Sequence, residues 1–197
     1  MRLILASSSP IRAELLRAAG LAPEVVPARI DEEAIRAALL AEKAPARDIA
    51  DILAETKSSK ISARHRDALV LGCDQILECD GRIFAKPASR QEARAQLEAL
   101  RGRSHRLFSA AVVCQAVRPL WRHVGKVTMT MRPISDAYLD DYLDRNWESV
   151  RHSVGCYKLE EEGVRLFERI EGTSFDVLGL PLLELLTWLG NRGDIAT

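Results

Sequence analysis

A chain of 197 residues, 47% apolar and 28% charged, is long enough to bury a core as one domain or as two small lobes sharing a cleft. Its 28 basic and 28 acidic residues cancel, so no basic excess exists to neutralise a phosphate backbone, and a nucleic-acid polymer is not an expected partner. No apolar run approaches the ~20 residues of a membrane span, and the first six residues are too short for the apolar part of a signal peptide. The four cysteines show no CxxC spacing and sit in apolar surroundings, which predicts free buried thiols and a cytoplasmic protein. The four histidines have no ligand spacing, so a zinc site is not expected.

Taken in order, Leu3 to Ala6 reads as a short buried strand. Ser7-Ser8-Ser9-Pro10-Ile11-Arg12 follows, then a helix that Gly20 ends. Ser9 suits an N-cap and Pro10 a first helical position. Arg12 is the exception, because a cation in the first turn faces the positive end of the helix dipole. A bound anion would reverse that sign. Free N–H groups, hydroxyls and a guanidinium at one helix start make a phosphate site.

Pro23 to Ala28 reads as a second strand, and Asp31-Glu32-Glu33 opens a helical segment, either as dipole complements or with one acid as a metal ligand. Residues 47–64 form an amphipathic helix that carries Ile49, Ile52, Leu53, Thr56 and Ile61 on its apolar side, together with Lys57 and Lys60. Residues 70–87 place Asp74 and Gln75 inside an apolar run, where an ionised carboxylate needs a partner. Cys79-Asp80-Gly81 is a hairpin loop with two registers open. A two-residue Asp80-Gly81 turn pairs Gln75 with Lys86. A three-residue loop with a bulge, the preferred register, pairs Asp74 with Lys86 and Glu78 with Arg82.

Ser89 caps a helix to Leu100, and strands are expected at 106–117 and 120–131 with Arg118-Pro119 near the turn. Ser135 caps a helix through Asn146 whose inward face is Tyr138, Leu139, Tyr142 and Leu143. An amphipathic stretch runs from Val164 to Ile170, a turn follows at 171–175, and a last helix spans Leu182 to Leu189 with a frayed tail beyond Asn191. Strands and helices alternate, so the class is α/β.

These residues resemble the Maf family of nucleoside triphosphate pyrophosphatases over nearly the whole chain. The resemblance rests on LILASSSPIR at 3–12, Ile30-Asp31-Glu32, Leu53 to Lys57, and Leu71-Gly72-Cys73-Asp74-Gln75. It continues through Asp80-Gly81, Lys86-Pro87, Gly102 to His105, Glu171-Gly172 and Val177 to Leu182. Each motif is weak alone; their order and spacing are specific.

The resemblance implies an elongated mixed sheet flanked by helices (Maf/ITPase-like), one domain over 1–197 with two lobes around a deep cleft, and often a homodimer. It implies hydrolysis of the α–β phosphate bond of a non-standard or modified nucleoside triphosphate, a house-cleaning reaction that yields the monophosphate and pyrophosphate with Mg²⁺ or Mn²⁺. Asp74 becomes the general base; Ser7, Ser8, Arg12, Lys57 and Lys86 hold phosphates; Glu32, with Asp74, holds the metal. Lys86 and the metal are expected to keep Asp74 ionised. A purely metal-bound Asp74 stays open.

Gln75 and Glu160 are similar to the subgroup that acts on 7-methyl-GTP, and a carboxylate suits the paired N–H donors of a guanine edge. Ile11 departs from the aromatic residue usual there, so only apolar contact with the base is implied. Ala13 and Thr173 also depart from the family pattern. A nucleotide-binding regulator of cell division without significant turnover is the alternative reading.

Overall fold

The computed structural model describes residues 1–196. Strands and helices alternate as β1 (Leu3–Leu5), α1 (Pro10–Ala18), β2 (Glu24–Val25), α2 (Glu32–Ala41), α3 (Ala46–Ser62), β3 (Leu69–Cys79), β4 (Arg82–Phe84) and α4 (Arg90–Leu100). They continue as β5 (Ser104–Gln115), β6 (Arg118–Met131), α5 (Asp136–Val150), β7 (Phe167–Glu171), α6 (Ser174–Val177) and α7 (Leu182–Asn191). Short 3-10 turns cover Val154–Cys156 and Glu162–Leu166. The strands form one open sheet in the order β2-β1-β3-β5-β6-β7, with β4 paired to β3. Helices flank it, so the class is mixed α/β.

The chain divides into two compact units. The first contains Met1–Gln75, Phe108–Gly125 and the C-terminal stretch from Ser174; the second contains Ile76–Leu107 and Lys126–Thr173.

In the first unit, side-chain alternation along short parallel strands sorts the core. Leu3, Leu5, Leu69, Leu71 and Cys73 pack with Ala13 and Leu16 of α1 and with Leu182, Leu185 and Leu189 of α7. Ile4, Ala6 and Val70 pack with Ile61 of α3. So α1 and α3 cover opposite faces. β1 pairs in parallel with β2 on one side and with β3 on the other. A strand whose neighbours are reached by helices on opposite faces opens a crevice at its C-terminal end. In this chain that end is Ser7-Ser8-Ser9.

The second unit buries Leu97 and Leu100 of α4, Leu139, Tyr142 and Leu143 of α5, Met129 of β6 and Phe167 of β7. His105, 1% exposed, is hydrogen-bonded through Nε2 to Tyr157 Oη at 2.8 Å. The Tyr157 ring meets Phe167 edge-on at 4.7 Å.

The hairpin differs from the preferred register. Leu77 pairs with Phe84, Glu78 with Ile83 and Cys79 with Arg82. Asp80 (φ 51°) and Gly81 (φ 78°) therefore form a two-residue turn of the primed type, whose twist matches the strands without a bulge. Glu78 does not face Arg82. Its carboxylate accepts from Gly81 N at 2.6 Å and pairs with Arg106 at 2.8 Å.

Other boundaries shift for local reasons. The β5–β6 turn is Ala116-Val117, both at positive φ, so Arg118 and Pro119 belong to β6. Val164 to Ile170 is a 3-10 turn followed by strand β7. The tail beyond Asn191 is held, not frayed: Asp194 N bonds to Leu189 O, Arg192 lies over the Trp188 ring, and Ile195 packs on the core. Thr197 lies outside the described residues. All four cysteines are free and buried. Among the described residues no helix is long and apolar enough to cross a membrane.

Candidate active site

The site begins where β1 stops pairing. Ala6 N donates to Leu71 O at 2.8 Å, and the chain then leaves the sheet at Ser7. β3 runs on to Cys79. The next carbonyl on that edge, at Cys73, therefore has no β1 residue opposite it, and a buried carbonyl needs a donor. Two cations supply it. Arg12 Nη1 lies 3.1 Å from Cys73 O and Lys57 Nζ 3.4 Å from it.

Arg12 is buried at the start of α1. Its Nε donates to Gly179 O at 2.8 Å and its Nη1 also to Ser7 Oγ at 3.2 Å. Ser9 occupies the N-cap position, but its side chain makes no capping bond; Ser7 Oγ instead accepts from Ser9 N at 3.2 Å. The first turn of α1 thus has a guanidinium and no side-chain cap, the arrangement that favours an anion. Ser8 is exposed and Ile11 half-buried beside this turn.

The acidic side follows from one glycine. A Cβ at Gly72 would lie 2.1 Å from Ala54 O, so only glycine lets α3 approach β3 this closely. One turn along α3 and two residues along β3, Lys57 then meets Asp74. Lys57 is 7% exposed and Asp74 6%. Lys57 Nζ lies 2.6 Å from Asp74 Oδ1 and 2.9 Å from Glu32 Oε1, which α2 presents from its first turn. Asp31 caps that helix by accepting from Ala34 N at 3.0 Å, which leaves Glu32 for Lys57.

Burial pushes the Asp74 carboxyl above the usual aspartate range, and the Lys57 ammonium pulls it only part of the way back. The cation beside Asp74 is Lys57, in place of the expected Lys86. The Cys73 thiol is pushed up to about 11 by burial, so it is not a thiolate nucleophile near neutrality.

The oxygens of Asp74 and Glu32 converge on one cation position, now held by Lys57 Nζ. Two hard carboxylate donors suit a Mg²⁺-type ion that completes its shell with water and phosphate oxygens. Among the described residues no group of three or more His, Cys, Asp or Glu side chains is placed to hold an ion. Glu32 and Asp74, which share the Lys57 ammonium, are the two carboxylates that would hold such an ion.

Gln75 points to the opposite face of β3 from Asp74, as strand alternation requires. Its Nε2 donates to Ser109 Oγ at 2.9 Å, Asp176 O at 3.1 Å and Val177 O at 2.9 Å. Ser109 Oγ, fully buried, in turn donates to Asp176 O at 2.6 Å. Sequence reasoning missed Ser109 and the carbonyls of Cys73 and Gly179. Ser109 had a signal, a hydroxyl in the apolar run of β5, because buried hydroxyls are almost always bonded. The carbonyls had none.

The structure thus joins Ser7, Arg12, Lys57, Asp74 and Glu32, all in the first unit. Lys86 is exposed beyond the end of β4, outside the ladder, and the expected ladder pair with Asp74 is replaced by Lys57. Glu160 belongs to the second unit. It is exposed and unpaired among the described residues, whereas Glu161 pairs with Lys158 and Glu162 with Arg145.

The chain is similar to known proteins over nearly its whole length. The sequence profile of the family described as Maf-like protein matches residues 2–192. A "Nucleoside triphosphate pyrophosphatase" of Roseobacter denitrificans is 58% identical over 193 residues, covering 98% of this chain and 97% of that protein. One of the same name from Ruegeria sp. is 55% identical with the same coverage. A "7-methyl-GTP pyrophosphatase" of Mesorhizobium japonicum is 46% identical over 194 residues, covering 98% of each. Matched over residues 2–192 by the family profile and over 98% of its length by such relatives, the chain belongs to the Maf-like protein family and is a hydrolase of the pyrophosphatase type.

Proposed function

We propose that the chain hydrolyses the α–β phosphate bond of a nucleoside triphosphate, releasing the monophosphate and pyrophosphate, with a non-standard or modified guanine-type nucleotide as the preferred substrate. The observation that carries this reading is the buried Lys57 ammonium in contact with both Asp74 and Glu32. Two acids, one buried cation between them and a second cation at a helix start are the parts that phosphoryl transfer asks for.

In this reading Asp74 takes the proton of a water whose oxygen adds to one of the two bridged phosphorus atoms as the bridging P–O bond breaks. Arg12, Ser7, Ser8 and the N-terminus of α1 hold phosphate oxygens, and Lys57 and Lys86 add charge that stabilises the non-bridging oxygens. Glu32 and Asp74 would hold a divalent ion, which supplies further charge neutralisation at the phosphates. The resemblance supports Glu160 as the acceptor for guanine N–H donors, with Ile11 beside the base. The 46% identity to a 7-methyl-GTP pyrophosphatase points to the same base class. Free buried thiols suit a reducing, cytoplasmic setting.

The test is a panel of triphosphates with Mg²⁺ or Mn²⁺, with both products identified. Monophosphate and pyrophosphate in equal amounts, fastest from guanine-type nucleotides, is the expected result. Orthophosphate and a diphosphate instead would refute α–β cleavage. Binding without any turnover would favour a nucleotide-sensing regulator.

A further inference from the structure

Three side chains, of Arg12, Gln75 and Ser109, converge on one short segment, Asp176 to Gly179. Arg12 Nε donates to Gly179 O at 2.8 Å. Gln75 Nε2 donates to the carbonyls of Asp176 and Val177, and Ser109 Oγ donates to Asp176 O at 2.6 Å. The turn is closed within itself by Gly179 N to Asp176 O at 3.1 Å. Gly179 has φ +88°, and a Cβ there would lie 2.8 Å from Arg12 Nη2 and 3.1 Å from Arg12 Nε. The guanidinium therefore packs against Gly179 where a side chain would collide, and the carbonyl of the same residue accepts from its Nε.

One of its two terminal nitrogens is equally committed. Nη1 is used by Ser7 Oγ and Cys73 O. Nη2 makes no hydrogen bond among the described residues and is the end that can meet an anion. Its direction follows from where the turn puts Gly179. The turn's own position follows from Ser109 and Gln75, because each of these spends its donors on turn carbonyls. Gln75 has no N–H left for a base, since both hydrogens of its Nε2 face three acceptors.

We propose that Gly179, Gln75 and Ser109 are positioning residues for Arg12: the Asp176–Gly179 turn is the seat that aims its guanidinium at a phosphate group. This rests on the reading of Arg12 as a phosphate-binding residue. It gives Gln75 a role in anion binding through the turn, in place of the base-reading role that the resemblance suggests.

The experiment titrates inorganic pyrophosphate into wild type, Gly179→Ala, Gln75→Met, Ser109→Ala, Arg12→Lys and the double variant Arg12→Lys/Gly179→Ala, with thermal unfolding in parallel. It also compares kcat/KM for guanine and uracil triphosphates. Gly179→Ala should weaken pyrophosphate about tenfold, the scale of one charge-assisted hydrogen bond. The double variant should bind no worse than Arg12→Lys, because the glycine acts through that arginine. Gln75→Met and Ser109→Ala should weaken pyrophosphate severalfold and leave the guanine-to-uracil ratio unchanged.

Unchanged pyrophosphate affinity in folded Gln75→Met, or a changed base ratio with that affinity intact, overturns the proposal while turnover by wild type leaves the functional reading standing. If Gly179→Ala does not fold, Gln75→Met and Ser109→Ala decide. A wild type that neither binds nor releases pyrophosphate removes the functional reading and this proposal together.

Discussion

Arg12 and Lys57 reach the same oxygen, the carbonyl of Cys73, at 3.1 and 3.4 Å. They come from helices on opposite faces of the sheet. The cause is a mismatch in strand length: β1 ends at Leu5 while β3 continues, so one edge carbonyl lies beyond the ladder. Two side-chain cations replace the missing strand partner. This couples a feature of the sheet to the charge that an anionic substrate needs, and it fixes both cations within hydrogen-bonding reach of one peptide.

The Lys57 contact predicts a stability cost as well as a loss of turnover. Lys57→Met leaves two acids facing each other with Asp74 buried. Removing one partner of a buried pair costs about 3–5 kcal/mol. Chemical denaturation of the metal-free protein should show a loss near the lower end, because Glu32 is half-exposed and can turn to water. A loss under ~0.5 kcal/mol would mean that the pair contributes no net stability.

His105 predicts an acid limit to stability. Burial holds its pKa at about 4, below the usual 6.5, with only Tyr157 Oη bonded to its ring. The folded state therefore binds this proton less readily than the unfolded chain. The stability is fully present above pH 6.5 and is lost as pH falls toward about 4. The difference corresponds to about 3 kcal/mol. Urea unfolding of wild type across that window should show the loss, and His105→Gln should flatten the slope. Parallel pH profiles for the two proteins would assign the effect elsewhere.

Gly72 predicts intolerance at a specific place. An added Cβ meets the Ala54 carbonyl at 2.1 Å, a backbone atom that cannot step aside without moving α3. Gly72→Ala should lose several kcal/mol or fail to fold, on the overpacking scale of about 1–3 kcal/mol or more. Gly81→Ala, at φ +78° with open space around it, should cost only about 1 kcal/mol, the backbone term alone. Equal costs for the two, read by thermal unfolding, would remove close helix–strand approach as the reason for Gly72.

Glu160 predicts a change in base preference. It is the one of three successive glutamates without a partner among the described residues, which leaves its carboxylate for a ligand. Glu160→Gln replaces one acceptor with a donor. Turnover of guanine-type triphosphates should fall relative to UTP and dTTP, by about tenfold for one mismatched hydrogen bond. An unchanged ratio would remove Glu160 from base recognition.

The parts of the site that were legible in the sequence are those where a charge costs something. Asp74 in an apolar run and Arg12 at a helix start each asked for a partner, and the class of partner followed from electrostatics. The identity of the partner did not. Lys57 instead of Lys86 meets Asp74 because Gly72 admits α3 and because Asp80-Gly81 makes a two-residue turn. Only the bulged register faced opposite charges across the ladder, and backbone twist decided for the other. The acceptors of Arg12 were not readable at all, since a free carbonyl arises from where two strands stop, and every residue carries a carbonyl.

The most direct measurement is pyrophosphate release by wild type and Asp74→Asn at matched metal and nucleotide concentrations, with nucleotide binding measured alongside. Asparagine keeps the shape and can still accept from Lys57, but it cannot take a proton. The account predicts a fall in kcat of about 10²–10⁴-fold with nucleotide affinity within a few-fold of wild type. A variant that releases pyrophosphate at a rate within a few-fold of wild type would contradict the assignment of Asp74 as the base.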